Sequence, residues 1–161
     1  MNTYLKPTKF IDSDADIIKQ FAKEVTDGAI SDKDKAIRLY YAVRDKVRYD
    51  PYKFFLTEEN YTASNTLKDG ASFCIPKAVL LAAAARASGI PARLGFADVK
   101  NHLSTQKLLD LMGTDVFIWH GYTEFFLDDK WVKAIEHSLP FSSYFLGVKP
   151  LEFDGVNDSF M

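Results

Sequence analysis

Apolar residues in the first half of the chain recur with the spacing of amphipathic helices. A first helix is predicted between an N-cap at Asp12 or Ser13 and a stop at Gly28. Its apolar face is formed by Ile17, Ile18, Phe21, Ala22 and Val25. A second helix is predicted to begin at the cap residue Ser31. Its apolar face is formed by Ala36, Ile37, Tyr40, Val43 and Val47.

Two further helices are predicted before the pattern changes. Residues 62–67 are expected to form a short helix that Gly70 ends. The other helix begins near Cys74, with Pro76 in the first turn, where a missing N–H costs nothing. Residues 78–87 then form a strongly helix-favouring run, and Gly89 ends it.

The second half of the chain has the pattern of strands and turns. It predicts strands over 92–97, 116–127 and 131–135, and a short helix over 105–112. Asp128-Asp129 is expected to be the turn of a hairpin between the last two strands. Helices followed by an antiparallel sheet indicate an α+β fold.

Composition excludes several classes of function. The chain has 161 residues, of which 47% are hydrophobic and 26% charged, with a net charge of −2. Such a balance offers no electrostatic surface for nucleic acid or anionic membrane. The longest apolar run, residues 78–85, is too short to span a bilayer, and residues 1–30 lack the apolar core of a signal peptide. A single cysteine fits a reducing compartment, so we expect a cytoplasmic protein.

The domain organisation is expected to be simple. No repeat, linker or low-complexity tract interrupts the sequence, which predicts one domain over residues 1–161. The chain stops abruptly at Ser159-Phe160-Met161, which indicates truncation at the C-terminus or completion by a partner. The oligomeric state is left open.

Cys74 is the first candidate catalytic residue. It opens a helix, so the positive end of the helix dipole should stabilise its thiolate. Backbone N–H groups of the first turn could also stabilise an oxyanion formed when that thiolate attacks a carbonyl. The alternative is a small buried hydrophobic residue, the commonest role of a lone cysteine.

His120 is the second candidate, midway along a predicted strand among aromatic residues. Strand alternation predicts that it shares a face with Ile118, Tyr122 and Glu124. A buried imidazole needs partners for its nitrogens, and a backbone carbonyl would serve as well as a catalytic cysteine. Asp98 and His102 are weaker candidates, expected in a strand-end loop and on the surface.

These residues resemble the transglutaminase-like superfamily. The resemblance lies in a cysteine block, Gly70-x-x-x-Cys74 with Lys77-Ala78 and Gly89-Ile90-Pro91-Ala92-Arg93, and a histidine block, His120, Glu124, Leu127-Asp128 and Trp131-Val132. It implies a papain-like α+β fold, with N-terminal helices packed on an antiparallel sheet, and a Cys-His-Asp triad that acts on carboxamides. No residue cluster has the spacing of a metal site and no glycine-rich loop suits a phosphate, so no metal or cofactor is expected.

The third member of the triad departs from the family pattern. The family's aspartate stands four residues after the hairpin tryptophan, where this chain has Ile135. Glu136 could replace it only if a one-residue bulge turned it toward His120. Otherwise His137 or a backbone carbonyl orients His120.

The sequence therefore predicts a thiol-dependent amide hydrolase or acyltransferase. Cys74 is the nucleophile, His120 the base and Glu136 the tentative third member, and the substrate is a peptide or protein with a carboxamide. The residues do not choose between hydrolysis and transamidation, although the small members of the family favour hydrolysis. The alternative is a catalytically idle module that binds a peptide or partner protein.

Overall fold

The computed structural model describes residues 1–53, 57–100, 110, 113–135 and 151–159. The predicted helix over 105–112 lies almost wholly outside these residues. Four α-helices of the described part are α1 (Asp16–Val25), α2 (Asp32–Lys46), α3 (Ala63–Asp69) and α4 (Cys74–Ala87). Five strands are β1 (Arg48–Tyr49), β2 (Ala71–Ser72), β3 (Ala92–Lys100), β4 (Val116–Leu127) and β5 (Lys130–Ala134).

The strands form two separate sheets. β1 and β2 pair in parallel, while β3, β4 and β5 form an antiparallel sheet in the order β3-β4-β5. The predicted hairpin is confirmed, since Phe125 pairs with Val132 and Phe126 with Trp131. Asp128 and Asp129 both have positive φ, which a two-residue type I′ turn requires. The predicted α+β architecture is confirmed.

Helix α4 lies at the centre of the core. Every residue from Pro76 to Arg86 is buried, because α1, α2 and α3 pack around it and β4 packs along it. The predicted start at Cys74 is correct, and Gly70, with φ of 62°, ends α3 as expected. Ser31 caps α2 by accepting a hydrogen bond from the Asp34 N–H at 3.1 Å, also as predicted.

The predicted cap of α1 is wrong. The helix begins after Ala15, which makes no side-chain capping bond. Asp12 instead accepts a hydrogen bond from the Ser64 N–H at 3.1 Å and so satisfies a donor in the first turn of α3. Residues 12 and 64 are brought together only by tertiary packing, which local sequence signals cannot indicate.

Residues 151–159, here called the C-terminal segment, contact both α2 and the outer edge of β5. The Tyr40 hydroxyl lies 3.0 Å from the Leu151 carbonyl oxygen, and Phe153 packs on the Tyr40 and Phe125 rings. Ser159 donates its N–H to the Lys133 carbonyl at 2.9 Å. Phe153 is only 3% exposed.

Candidate active site

Cys74 is the first residue of α4 and follows directly from the small parallel sheet. Phe73 is the N-cap, and Ser72, the last residue of β2, is paired with Tyr49 of β1. The thiol is half-buried. A half-buried cysteine at a helix N-terminus experiences the positive end of the helix dipole, which favours a thiolate.

His120 lies in β4 and is 4% exposed. Burial lowers the pKa of its imidazole to about 4, because desolvation disfavours the charged ring. The ring is therefore neutral at neutral pH and keeps a nitrogen lone pair that can accept a proton.

The helix and the strand touch next to these two residues. A methyl group added to Gly121 would lie 3.0 Å from the Cα of Ile75, so the backbones of β4 and the first turn of α4 are in contact. The Thr123 hydroxyl donates a hydrogen bond to the Ala78 carbonyl at 2.9 Å, one turn further along. Cys74 directly precedes Ile75, and His120 directly precedes Gly121. The Cα atoms of Cys74 and His120 are therefore at most about 12 Å apart.

A β-bulge directly before His120 breaks the predicted strand alternation. Ala97 pairs with His120 and Val99 with Phe117, so Ile118 and Trp119 together face Asp98. Trp119 has a φ of 60°, and its N–H donates to the Asp98 carboxylate at 3.2 Å. Ile118 is 65% exposed whereas His120 is buried, so the prediction that they share a face is wrong. The bulge shifts the side-chain phase, as bulges beside functional sites commonly do.

Asp98 was expected in a loop after the strand, but β3 continues through it to Lys100. Its carboxylate accepts the hydrogen bond from the Trp119 N–H in the bulge. Asp98 therefore has a structural partner next to His120. His102 lies outside the described residues.

The position of the family's aspartate is occupied by a buried apolar residue. Ile135 is 8% exposed and follows directly after β5. Its carbonyl oxygen lies 3.0 Å from the hydroxyl of Tyr40, which fixes the backbone here. Glu136 and His137 lie outside the described residues, so the choice between them stays a prediction. The two-residue turn on which that prediction depends is confirmed.

Tyr49 and Gly121 lie next to the two candidate residues, and sequence reasoning did not single them out. Burial, together with the charge of the nearby Cys74, raises the pKa of the Tyr49 phenol. The sequence signal for Gly121 was present: a glycine inside a strand often marks a close approach of two backbones. Tyr49 had no comparable signal, because its proximity to Cys74 depends on the pairing of β1 with β2.

Among the described residues, no group of three or more His, Cys, Asp or Glu side chains is arranged to hold a metal ion. Within the same residues, no helix is long and apolar enough to cross a membrane.

Comparison with known proteins gives one family and several similar folds. The model of the transglutaminase-like superfamily matches residues 19–134. A candidate cysteine protease from Cytophaga hutchinsonii is 21% identical with a TM-score of 0.66, over 84% of this chain and 41% of that one. The periplasmic domain of TgpA from Pseudomonas aeruginosa is 17% identical with a TM-score of 0.58, over 83% of this chain and 45% of that domain.

A candidate protease from Parabacteroides distasonis is 18% identical with a TM-score of 0.53, over 88% of this chain and 26% of that protein. This chain therefore spans less than half the length of each of these three structures. No curated protein matches it.

Proposed function

The chain belongs to the transglutaminase-like superfamily, and from that premise we propose that Cys74 and His120 form a catalytic pair acting on carboxamides. The proposed substrate is a peptide or protein with an exposed carboxamide, such as a glutamine side chain. Glu136 is a third member only if a one-residue bulge turns it toward His120. A cytoplasmic location also stays a prediction, consistent with a lone thiol that needs a reducing compartment.

The contact between Gly121 and Ile75 carries this proposal. It fixes β4 against the first turn of α4, one residue away from both the thiol and the imidazole. Catalysis by a cysteine-histidine pair needs such fixed positions, because the base must reach the proton of the nucleophile in hydrogen-bonding geometry. Placing the two groups on packed regular elements, rather than on loops, supports such precision.

The proposed reaction uses the neutral imidazole of His120. It accepts the thiol proton as the sulfur of Cys74 attacks the amide carbonyl carbon and a C–S bond forms. The tetrahedral intermediate then collapses: the C–N bond breaks, and His120 returns the proton to the departing ammonia or amine. The product is a thioester on Cys74, which water hydrolyses or a lysine amine converts into a new amide.

Hydrolysis is the proposed outcome of the second step. Two proteins with similar folds are candidate proteases, which supports hydrolysis without deciding it, since folds are shared by different chemistries. The outcome depends on how well water reaches the acyl-enzyme compared with an amine.

A second candidate function is a catalytically idle module that binds a peptide or partner protein. The buried Ile135 favours it, because an apolar residue at the family's aspartate position cannot orient an imidazole or stabilise its charge. Retention of both Cys74 and His120 favours the enzyme.

Alkylation by iodoacetamide as a function of pH tests the proposal. In a working pair, Cys74 should react with a midpoint clearly below the pH of ~8.5 expected of an unperturbed thiol. His120→Gln should slow the reaction near neutral pH, while a surface substitution such as Lys23→Met should leave it unchanged. An ordinary alkylation profile in the wild-type protein would favour the binding module.

Product analysis separates the two reactions. The protein is incubated with a blocked glutaminyl-glycine dipeptide, with and without methylamine, and ammonia and the new amide are measured. Hydrolysis predicts ammonia and the free glutamate product even in excess methylamine, and transamidation predicts the N-methyl amide. Cys74→Ser is the control for both products.

A further inference from the structure

We propose that Trp119 and Phe96 form a specificity subsite for an apolar side chain of the substrate peptide, and that Asp98 positions Trp119 in this subsite. The occupant is an aromatic or aliphatic side chain one residue before or after the glutamine that carries the carboxamide. This inference rests on the proposed function and names the class of peptide that the same site selects.

Two large aromatic side chains are exposed beside the candidate pair. Trp119, the residue before His120, is 66% exposed, and Phe96 is 44% exposed. Their rings contact each other edge to face, with centroids 6.0 Å apart and an interplanar angle of 66°. Single exposed apolar side chains are common on protein surfaces, but a contiguous apolar patch indicates a binding surface.

The aromatic pair lies next to the first turn of α4. Phe96 is paired directly with Gly121, so both residues project to the same face of the sheet. On that face a Cβ at residue 121 would lie 3.0 Å from the Cα of Ile75. Opposite Cβ atoms of antiparallel strands are about 5 Å apart, so the Cβ of Phe96 lies within about 9 Å of the residue that follows Cys74. A peptide with its carboxamide at the thiol would therefore pass close to these rings.

The backbone of Trp119 has a conformation that bulky residues rarely adopt. Its φ of 60° is unfavourable for any residue except glycine. The Asp98 carboxylate accepts the Trp119 N–H at 3.2 Å and so satisfies a donor that the bulge removes from the strand pairing. The exposed indole gains little from packing within the fold. The cost of this backbone is therefore offset if the indole binds a ligand.

The surroundings favour an apolar occupant. The edge-to-face rings of Trp119 and Phe96 present two apolar surfaces at an angle, which can cover one side chain from two sides. Ile118, the other residue of the bulge, is 65% exposed and adds to the apolar surface. The carboxylate of Asp98 disfavours an acidic side chain at the same place.

The preference between two peptides tests the subsite. Blocked tripeptides carry phenylalanine or serine immediately before or after the glutamine, and kcat/KM is measured from the ammonia that each releases. The phenylalanine peptide should exceed the serine peptide by about 5- to 20-fold at one of the two flanks, because an open surface covers only part of the side chain. The difference should lie in KM rather than in kcat, since the subsite does not touch the reacting carbonyl.

Substitution of the aromatic residues should remove this preference. In Trp119→Ala the ratio of the two kcat/KM values should fall below about 2, and in Phe96→Ala it should fall at least about twofold. The matched control is Ile30→Ala, a large apolar residue that is 92% exposed between α1 and α2, which should keep the wild-type ratio. Both peptides are converted by the same folded molecules, so the ratio does not depend on the folded fraction of a variant.

The role of Asp98 is tested through the acceptor that it supplies. Asp98→Asn keeps a side-chain oxygen for the Trp119 N–H and should leave the ratio within about twofold of the wild-type value. Asp98→Leu removes the acceptor and should lower the ratio at least about threefold. Added to Trp119→Ala, it should lower the ratio no further, because it acts only through the indole. An unchanged ratio in Asp98→Leu would overturn this role.

The outcomes separate this inference from the proposed function. If the wild-type protein releases no ammonia that depends on Cys74, the proposed function fails and the subsite fails with it. If ammonia is released but the peptides differ by less than about twofold at both flanks, only the subsite is overturned. A preference that persists in Trp119→Ala would also overturn it, because the apolar side chain then binds elsewhere.

Discussion

Gly121 of β4 lies directly against Ile75 in the first turn of α4, with room for hydrogen but not for a methyl group. A Cβ at residue 121 would approach the Ile75 Cα to 3.0 Å and its Cγ1 to 3.1 Å. These atoms cannot move apart without changing the spacing between the helix and the strand. The spacing of the thiol and the imidazole therefore depends on a glycine that has no side chain of its own.

Gly121→Ala should consequently impair the site more than the fold. We expect a loss of about 1–3 kcal/mol in the free energy of unfolding from overpacking. Acylation of Cys74 by p-nitrophenyl acetate should fall at least tenfold, since misplacement by about 1 Å can cost 10²-fold in rate. Gly28→Ala is the control, because its φ of 69° makes alanine strained while no other atom lies within 4 Å. It should lose stability and keep the acylation rate; equal rates for both variants would contradict this reading.

His120 should make stability depend on pH in a defined window. The unfolded chain takes up a proton on this residue near pH 6.5, but the folded protein does so only near pH 4. The contribution of the neutral imidazole to the free energy of unfolding is fully present above pH 6.5 and is lost as the pH falls toward 4. The loss is about 3 kcal/mol at most. Urea unfolding at pH 7 and pH 4.5 should show a smaller loss for His120→Gln than for the wild type.

The acidic groups with lowered pKa do not obscure that measurement. The pKa of Asp154 is held at about 2 by the backbone N–H groups of Asn157 and Val156, so its contribution is lost only below its ordinary value of 3.8. The pKa of Asp34 is lowered by its hydrogen bond to Arg38 and behaves in the same way. An identical pH dependence in His120→Gln and the wild type would mean that the imidazole is not buried in its neutral form.

Lys77→Met should destabilise the fold, because it keeps the length of a buried side chain and deletes its donor. The carbonyls of Val43 and Val47 would lose the ammonium that they share, at a cost of about 2 kcal/mol. Lys23→Met, an exposed change in α1, should cost less than about 0.5 kcal/mol. Chemical unfolding of the two variants provides the comparison, and equal midpoints would show that the buried ammonium adds nothing.

Glu136→Gln distinguishes the two ways of orienting His120. The hairpin has a two-residue turn and a regular register as far as Ala134, so we expect Glu136 to face away and the acylation rate to change less than about twofold. A bulge after Ala134 that turned Glu136 toward the imidazole would instead make the loss about 10- to 10⁴-fold, by analogy with triad carboxylates. The acylation rate of His120→Ala shows how far the rate falls when the imidazole is removed completely.

The sequence predicted those features that depend on neighbours along the chain. The four helices, the start of α4 at Cys74 and the Asp128-Asp129 hairpin follow from periodicity, capping and turn chemistry, and all are present. The family motif identified Cys74 and His120 as candidate catalytic residues, because each lies in a continuous block of residues with a characteristic spacing.

Features that depend on distant partners could not be predicted in this way. Asp12 appeared to cap the helix that follows it, yet its partner is Ser64. Strand alternation failed at Trp119, because Asp98 on the neighbouring strand stabilises an extra residue there. Lys77 resembles a surface lysine in sequence, and only the position of the α2 carbonyls explains its complete burial.

The C-terminal segment has a consequence for how the protein is made. Phe153 completes the packing around Tyr40 and Phe125, at ring-centroid distances of 5.1 and 5.6 Å. A ribosome releases residue 153 long after the apolar helix α4, so the nascent chain carries an unfinished core while the intervening residues are synthesised. During that interval Tyr40 and Phe125 lack the ring that later covers them, and their apolar surface stays exposed. The synthesis rate and the supply of chaperones should therefore influence the yield of folded protein.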